Sequence, residues 1–102
     1  MRIYIAGKIG NHDLHVYTQK FEAAENHLRV IGYEPVNPCK INSYLFFPWE
    51  DYILNDIRHL LKCEAIYMLK DWTESKGARI EHFIALEAGM KVIYEQQGLS
   101  IG

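Results

Sequence analysis

Apolar and polar positions follow two rhythms along this chain, and the rhythms alternate. Arg2-Ile-Tyr-Ile5 is a short apolar run ended by Ala6-Gly7, which predicts a buried first strand and a glycine turn. From about Leu14 to Ile31 the apolar residues Tyr17, Phe21, Ala24, Leu28 and Ile31 fall in steps of four and three. That spacing is a helical stripe, and Gly32 stops it. Tyr33-Glu-Pro-Val36 predicts a short second strand, ended by Asn37-Pro38. Residues 38–48 read as a loop rich in aromatics (Tyr44, Phe46, Phe47), and Pro48 suits a helix start. The helix that follows carries Ile53, Ile57, Leu60 and Leu61 on one face. Ala65-Ile-Tyr-Met-Leu69 is almost wholly apolar, as a central parallel strand is. Lys70 to Ser75 reads as a loop, 77–89 as a third helix closed by Gly89, and Lys91-Val-Ile-Tyr94 as a fourth strand before the Glu95–Gly102 tail.

Strands that alternate with helices imply a parallel sheet with right-handed crossovers. The expected fold is α/β, one domain over residues 1–102. It is a flavodoxin-like or Rossmann-like three-layer sandwich with strand order 2-1-3-4 and a possible short extra strand. Ligands of such sheets bind beyond the carboxyl ends of the strands, where the order reverses. Here that point lies between the first and third strands. The loops after Ile5 and Leu69 would line it, and the third helix would aim its N-terminus at it.

Composition narrows the function classes. The 102 residues are 49% hydrophobic and 24% charged, ordinary for one globular domain. A formal charge of −2 argues against a nucleic-acid polymer as partner, because phosphate neutralisation needs a basic surface. A pocket for one small anion needs only local donors. Cys39 and Cys63 make no disulfide framework and no zinc spacing, so reduced thiols and a cytoplasmic setting are expected. No signal-peptide core is present, and no apolar run approaches the roughly 18–20 residues that span a bilayer. The five histidines, His12, His15, His27, His59 and His82, show no metal-ligand pattern and are expected at the surface. No metal or cofactor is expected.

The chemistry-bearing stretch is Ser75-Lys-Gly-Ala-Arg-Ile-Glu81. A helix start offers unpaired N–H groups and a positive dipole end, which suit a phosphate. Ser75 is either a simple N-cap or a cap that also faces a bound anion. Lys76 would help neutralise that anion, and Gly77 would let the backbone approach it. At roughly 100° per residue, Glu81 falls between Ala85 and Ala88 on an apolar flank. A carboxylate there is costly unless paired or used. An acid favoured by the helix dipole and a pocket nucleophile both remain open at this point. Glu87, two turns deeper, is expected to pair with Lys91 at i+4. Asp56 stands at the margin of the buried face of its helix, where it is either a structural partner or a second pocket acid. Should the two acids meet, they divide roles as nucleophile and acid/base. Tyr4 is either a half-buried strand aromatic or the group that orients a pocket carboxylate. Trp49 and Trp72 are expected to reach the site more readily than Phe46 or Phe47. Gly7 and Gly10 do not make a dinucleotide fingerprint.

Taken in order and spacing, Ile3-Tyr4-Ile5-Ala6-Gly7, Asp56, Cys63-Glu-Ala-Ile-Tyr-Met-Leu69 and Ser75 through Ala85 resemble the nucleoside 2-deoxyribosyltransferase superfamily. The resemblance covers nearly the whole chain and is closest to a small branch, the DUF4406 family, with 2'-deoxynucleoside 5'-phosphate N-hydrolases as relatives. It implies that Glu81 attacks the anomeric carbon of a sugar, that Asp56 handles the proton of the leaving base, and that Tyr4 holds the nucleophile. It implies further that serine at position 75, where the transferases usually have aspartate, favours a 5'-monophosphate over a free nucleoside. Gly7, Ser75, Lys76, Gly77, Trp49 and Trp72 would bind substrate. Family sites are shared between subunits of a homodimer or larger homo-oligomer, and Ser100 would be the borrowed residue. The chain departs from the pattern at Phe83, where glycine is frequent, and at Glu64, where many relatives have aspartate. The expected activity is cleavage or transfer of the N-glycosidic bond of a (deoxy)nucleoside 5'-monophosphate. The alternatives are a non-catalytic nucleotide-binding module and a glycohydrolase acting on NAD or ADP-ribose compounds.

Overall fold

The computed structural model describes residues 1–9, 14–41 and 48–95, with residues 14–17 described by their backbone alone. The elements run β1 (Arg2–Ala6), α1 (Leu14–Val30), β2 (Glu34–Val36), α2 (Pro38–Ile41), α3 (Trp49–Leu60), β3 (Ala65–Met68), a 3₁₀ turn (Trp72–Glu74), α4 (Lys76–Glu87) and β4 (Lys91–Tyr94). The four strands form one parallel sheet in the order β2-β1-β3-β4. Tyr4 pairs with Val36 on one side and Ile66 on the other, so it lies in the middle of the sheet. The fold is α/β and Rossmann-like.

Side chains alternate across the sheet, as the twofold period of a strand dictates. Ile3, Ile5, Ala65, Tyr67 and Leu69 pack with Phe21, Ala24 and Leu28 of α1. Tyr4, Ala6, Ile66 and Met68 point the other way, against Leu60 of α3 and Ala78 and Ala85 of α4. Because α1 covers only part of its face, a groove of about 670 Å³ is left beside it, lined by His27, Tyr33, Tyr67, Ile93 and Glu95 among others. That groove and the acids discussed below lie on opposite faces of the sheet. Among the described residues no helix is long and apolar enough to cross a membrane.

Several boundaries depart from the sequence expectation for local reasons. Residues 38–41, expected as loop, form a helical turn. Asn37 starts it: its Oδ1 accepts the Cys39 N–H at 2.9 Å, and Pro38 fits a first helical position. Residues 72–74 close a 3₁₀ turn within the expected 70–75 loop. Leu61 lies just past the end of α3 and is 55% exposed, not part of the buried face. Lys91 donates to the Tyr33 hydroxyl at 3.2 Å and not to Glu87, which is exposed. His59 and His82 are half-buried, while His27 is exposed as expected. Tyr4 is fully buried, not half-buried. The aromatic residues Tyr44, Phe46 and Phe47, and the tail with Ser100, lie outside the described residues.

Candidate active site

Tyr4, Asp56 and Glu81 come together in the layer between the sheet and the α3–α4 pair. The sequence produces this locally. Tyr4 faces that layer because its strand neighbours Ile3 and Ile5 face α1. Asp56 is carried inward between Ile53 and Leu60, the two apolar residues that anchor α3. Glu81 is carried inward between Ala78 and Ala85, whose small side chains let α4 sit close to the sheet. Glu81 is 5% exposed and Asp56 7%. The Tyr4 hydroxyl donates to Glu81 Oε2 at 3.0 Å, a buried bond between residues 77 apart in sequence.

Two buried acids set close together leave a characteristic electrostatic mark. Burial, then the negative charge of Asp56, push the Glu81 carboxyl up to about 8, and the Tyr4 hydrogen bond pulls only partly against them. Tyr4 is itself held well above its ordinary range, first by burial and then by the charges of Glu81 and Asp56. The Glu81 carboxyl of the free site therefore resists ionisation into the neutral range. Carboxylates whose environments hold a proton in this way are found where acid–base or covalent chemistry is performed.

The N-terminus of α4 lies about one and a half turns before Glu81. Ser75 caps it, its hydroxyl oxygen accepting the Ala78 N–H at 3.1 Å. Because that oxygen accepts from the helix, its own O–H is left to donate elsewhere. The amides of Lys76 and Gly77 have no intrahelical acceptor, as at any helix start. A Cβ at Gly77 would stand 3.3 Å from Ile53 Cδ1, a tight contact that a small shift of the isoleucine end would relieve. The Lys76 ammonium lies 4.6 Å above the centre of the Trp49 ring, so these two expected substrate contacts are joined to each other. Gly7 is forced by a tighter approach, since a Cβ would come within 2.6 Å of Leu69 Cδ1. Trp72 stacks on His82 with ring centres 4.2 Å apart, and His82 Nε2 hydrogen-bonds the Tyr94 hydroxyl at 2.7 Å. Trp72 is thus held on the β4 side of α4. Cys39 was not among the expected site residues, yet its thiol, raised to about 11 by burial and then by Asp56, lies within electrostatic reach of Asp56 and Tyr4. Its place follows from the unforeseen turn at Pro38, and only the Asn37-Pro38 pair hinted at that turn. Among the described residues no group of three His, Cys, Asp or Glu side chains is gathered as metal ligands would be.

A model of the DUF4406 family, a domain of unknown function, matches residues 1–94. The chain belongs to the DUF4406 family. No curated protein matches it. The DUF4406 match takes in Tyr4, Asp56, Ser75 and Glu81 together and ends before Ser100. The four-stranded core and the buried acids are therefore both parts of the DUF4406 domain.

Proposed function

We propose that this DUF4406 domain cleaves or transfers the N-glycosidic bond of a (deoxy)nucleoside 5'-monophosphate, and that the family is an offshoot of the nucleoside 2-deoxyribosyltransferase superfamily. The observation that carries the reading is the buried Tyr4–Glu81 hydrogen bond beside Asp56, about one and a half turns inside a serine-capped helix start. A 5'-phosphate would take the Lys76 and Gly77 amides and the Ser75 hydroxyl, with the helix dipole favouring its charge. The sugar would then lie over the two acids. Glu81, once ionised, attacks the anomeric carbon as the bond to the base breaks, and Asp56 serves the proton of the leaving base. Water releases the sugar phosphate, or a second base takes it. Tyr4 holds the Glu81 carboxylate in line. Such chemistry needs no electron transfer, since both carboxylates supply the covalent and proton-transfer steps.

Incubation with a panel of ribo- and deoxyribonucleoside monophosphates, followed by chromatography for free base, tests the reading. Base release that Glu81→Gln abolishes is expected; full activity in that variant overturns the mechanism. A non-catalytic binding module is the second reading. It is favoured by the proton on Glu81, which leaves the free site without an ionised nucleophile at neutral pH. Calorimetric binding of a monophosphate with no turnover would select it. The same proposal includes a homo-oligomer and a cytoplasmic setting. Support for the oligomer comes from Phe83 and Leu86, which α4 exposes at 62% and 52%.

A further inference from the structure

The peptide that leaves β1 is held by a ring of bonds that the proposed chemistry does not use. Lys8 donates its backbone N–H to Asp71 Oδ1 at 3.1 Å. Lys20, reaching in from α1, sets its ammonium between Asp71 Oδ2 and the Lys8 carbonyl, 2.6 Å from the latter. Both main-chain polar groups of Lys8 are thus taken by side chains from two other elements. The Lys20 and Asp71 side chains are 29% and 25% exposed, so the pair is partly sheltered from solvent screening. A further contact, Lys8 Nζ to Glu74 at 3.3 Å, is exposed on both sides and adds little.

This ring spans the two loops that flank the switch point of the sheet. On the β1 side it holds Lys8, next to Gly7, whose backbone is already pressed against Leu69. On the β3 side it holds Asp71, which starts the 3₁₀ turn leading to Ser75 and the N-terminus of α4. Leu69 N–H donates to the Ala6 carbonyl at 2.8 Å, so the sheet ladder ends where the ring begins. Past that point, the bonds between the loops among the described residues are made by the side chains of Lys8, Lys20, Asp71 and Glu74. A carboxylate with two N–H donors and an ammonium with two oxygen acceptors form a closed, charge-assisted set. Loss of either member frees both loops.

We infer that Lys20 and Asp71 are positioning residues that fix the gap between the loop after β1 and the start of α4, and so set the affinity of the site for an anionic group entering that gap. The affinity part rests on the proposed nucleotide reading; the pinning of Lys8 does not.

The test has two arms on the full chain. In the unliganded protein, amide hydrogen exchange at Lys8 is compared among wild type, Lys20→Met, Asp71→Ala and Lys20→Arg. In the second arm, binding of each member of the panel of ribo- and deoxyribonucleoside 5'-monophosphates is measured by calorimetry, with kcat and KM where turnover is seen. Lys20→Met and Asp71→Ala are each expected to speed Lys8 exchange and weaken nucleotide binding by about tenfold, the scale of one charge-assisted bond. KM is expected to rise while kcat and the pH profile hold, because Glu81 and Asp56 are untouched. Lys20→Arg is expected to restore both, and the double variant to be no worse than either single one. Unchanged Lys8 exchange in Lys20→Met and Asp71→Ala overturns the pin. Faster exchange with unchanged nucleotide affinity overturns its role in the site. A wild-type protein that binds no nucleotide refutes the proposed function and the affinity part with it, while the exchange arm still decides whether Lys20 and Asp71 hold the loop.

Discussion

Two acids in this domain have almost no contact with solvent and opposite surroundings. Glu25 of α1 is 6% exposed, and Glu81 of α4 is 5% exposed. Glu25 accepts from Asn37 Nδ2 at 3.1 Å, Arg29 at 2.7 Å and Lys40 at 3.1 Å. Burial pushes its carboxyl upward, but the bonds from Asn37, Lys40 and Arg29 together outweigh it and hold the group below its ordinary range. Glu81 has one hydroxyl partner and a second acid as neighbour, and it is raised to about 8. A buried charge kept for structure is surrounded by donors, whereas a buried acid whose neighbours resist its ionisation destabilises the fold. Glu25 joins α1 to the turn at Asn37. Among the described residues Glu81 bonds through its side chain to Tyr4 alone, so its burial calls for a reason other than stability.

The largest expected effects come from turning each acid into its neutral amide. Glu81→Gln should lower base release at least about a thousandfold, the scale of losing a nucleophile or acid–base group. The same change should leave stability intact or raise it above neutral pH. The sign follows from linkage. The folded carboxyl, near 8, binds a proton that the unfolded one, near 4.5, has lost, so between those values the folded state holds more protons. Stability therefore falls as pH rises from about 4.5 to about 8, and Glu81→Gln should remove that slope in a series of thermal melts. If the amide variant keeps both its activity and the slope, Glu81 is not the odd acid claimed here.

Glu25→Gln should do the reverse. Its stabilisation is present above the unfolded value of 4.5 and is lost as pH falls through the lower folded value. Chemical denaturation at neutral pH should show a loss of about 1–3 kcal/mol, the range for a buried group stripped of charged hydrogen bonds. Base release should stay within a few-fold of wild type. A large activity loss with full stability would erase the contrast between the two acids.

The two sites were not equally legible from sequence. Glu81 stood out because an acid on the apolar flank of a short helix breaks a simple pattern, and Asp56 stood out for the same reason. The parallel sheet and its strand order followed from the alternation of apolar runs, such as Ile3–Ile5 and Ala65–Leu69, with helical stripes. Glu25 did not stand out, because its donors are 4, 12 and 15 residues away on three elements. The turn at Pro38–Ile41, which brings Lys40 and Asn37 to it, has only four residues and no apolar period to announce it. The Lys20–Asp71 pair, 51 residues apart, was hidden for a similar reason: an ion pair between a helix and a distant loop leaves no spacing in sequence. Leu61 shows the opposite error. It has the right period for the buried stripe, but the helix ends at Leu60 before it can be used.

Asp56→Asn and Tyr4→Phe sharpen the comparison by moving Glu81 in opposite directions. Asp56 holds the proton on Glu81 by like-charge repulsion, so Asp56→Asn should lower the Glu81 pKa. It should also remove the group serving the leaving base, with base release down by about a hundredfold or more. If Glu81 acts as its anion, kcat/KM in wild type should climb with pH toward a plateau above about 8, and in Asp56→Asn the climb should begin earlier.

Tyr4→Phe should have the smallest effect. Its hydroxyl is the one cause that favours ionised Glu81, so removing it should raise the Glu81 pKa further and move the climb to higher pH. One buried hydrogen bond to a charged group is lost, so base release at neutral pH should fall by about tenfold. The ring stays and no cavity opens, so the melting temperature should hold near neutral pH, where Glu81 is protonated. A profile that climbs at the same pH in Tyr4→Phe as in wild type would mean that the 3.0 Å bond does not orient or stabilise the carboxylate. Glu81 would then be set apart from Glu25 by burial and Asp56 alone.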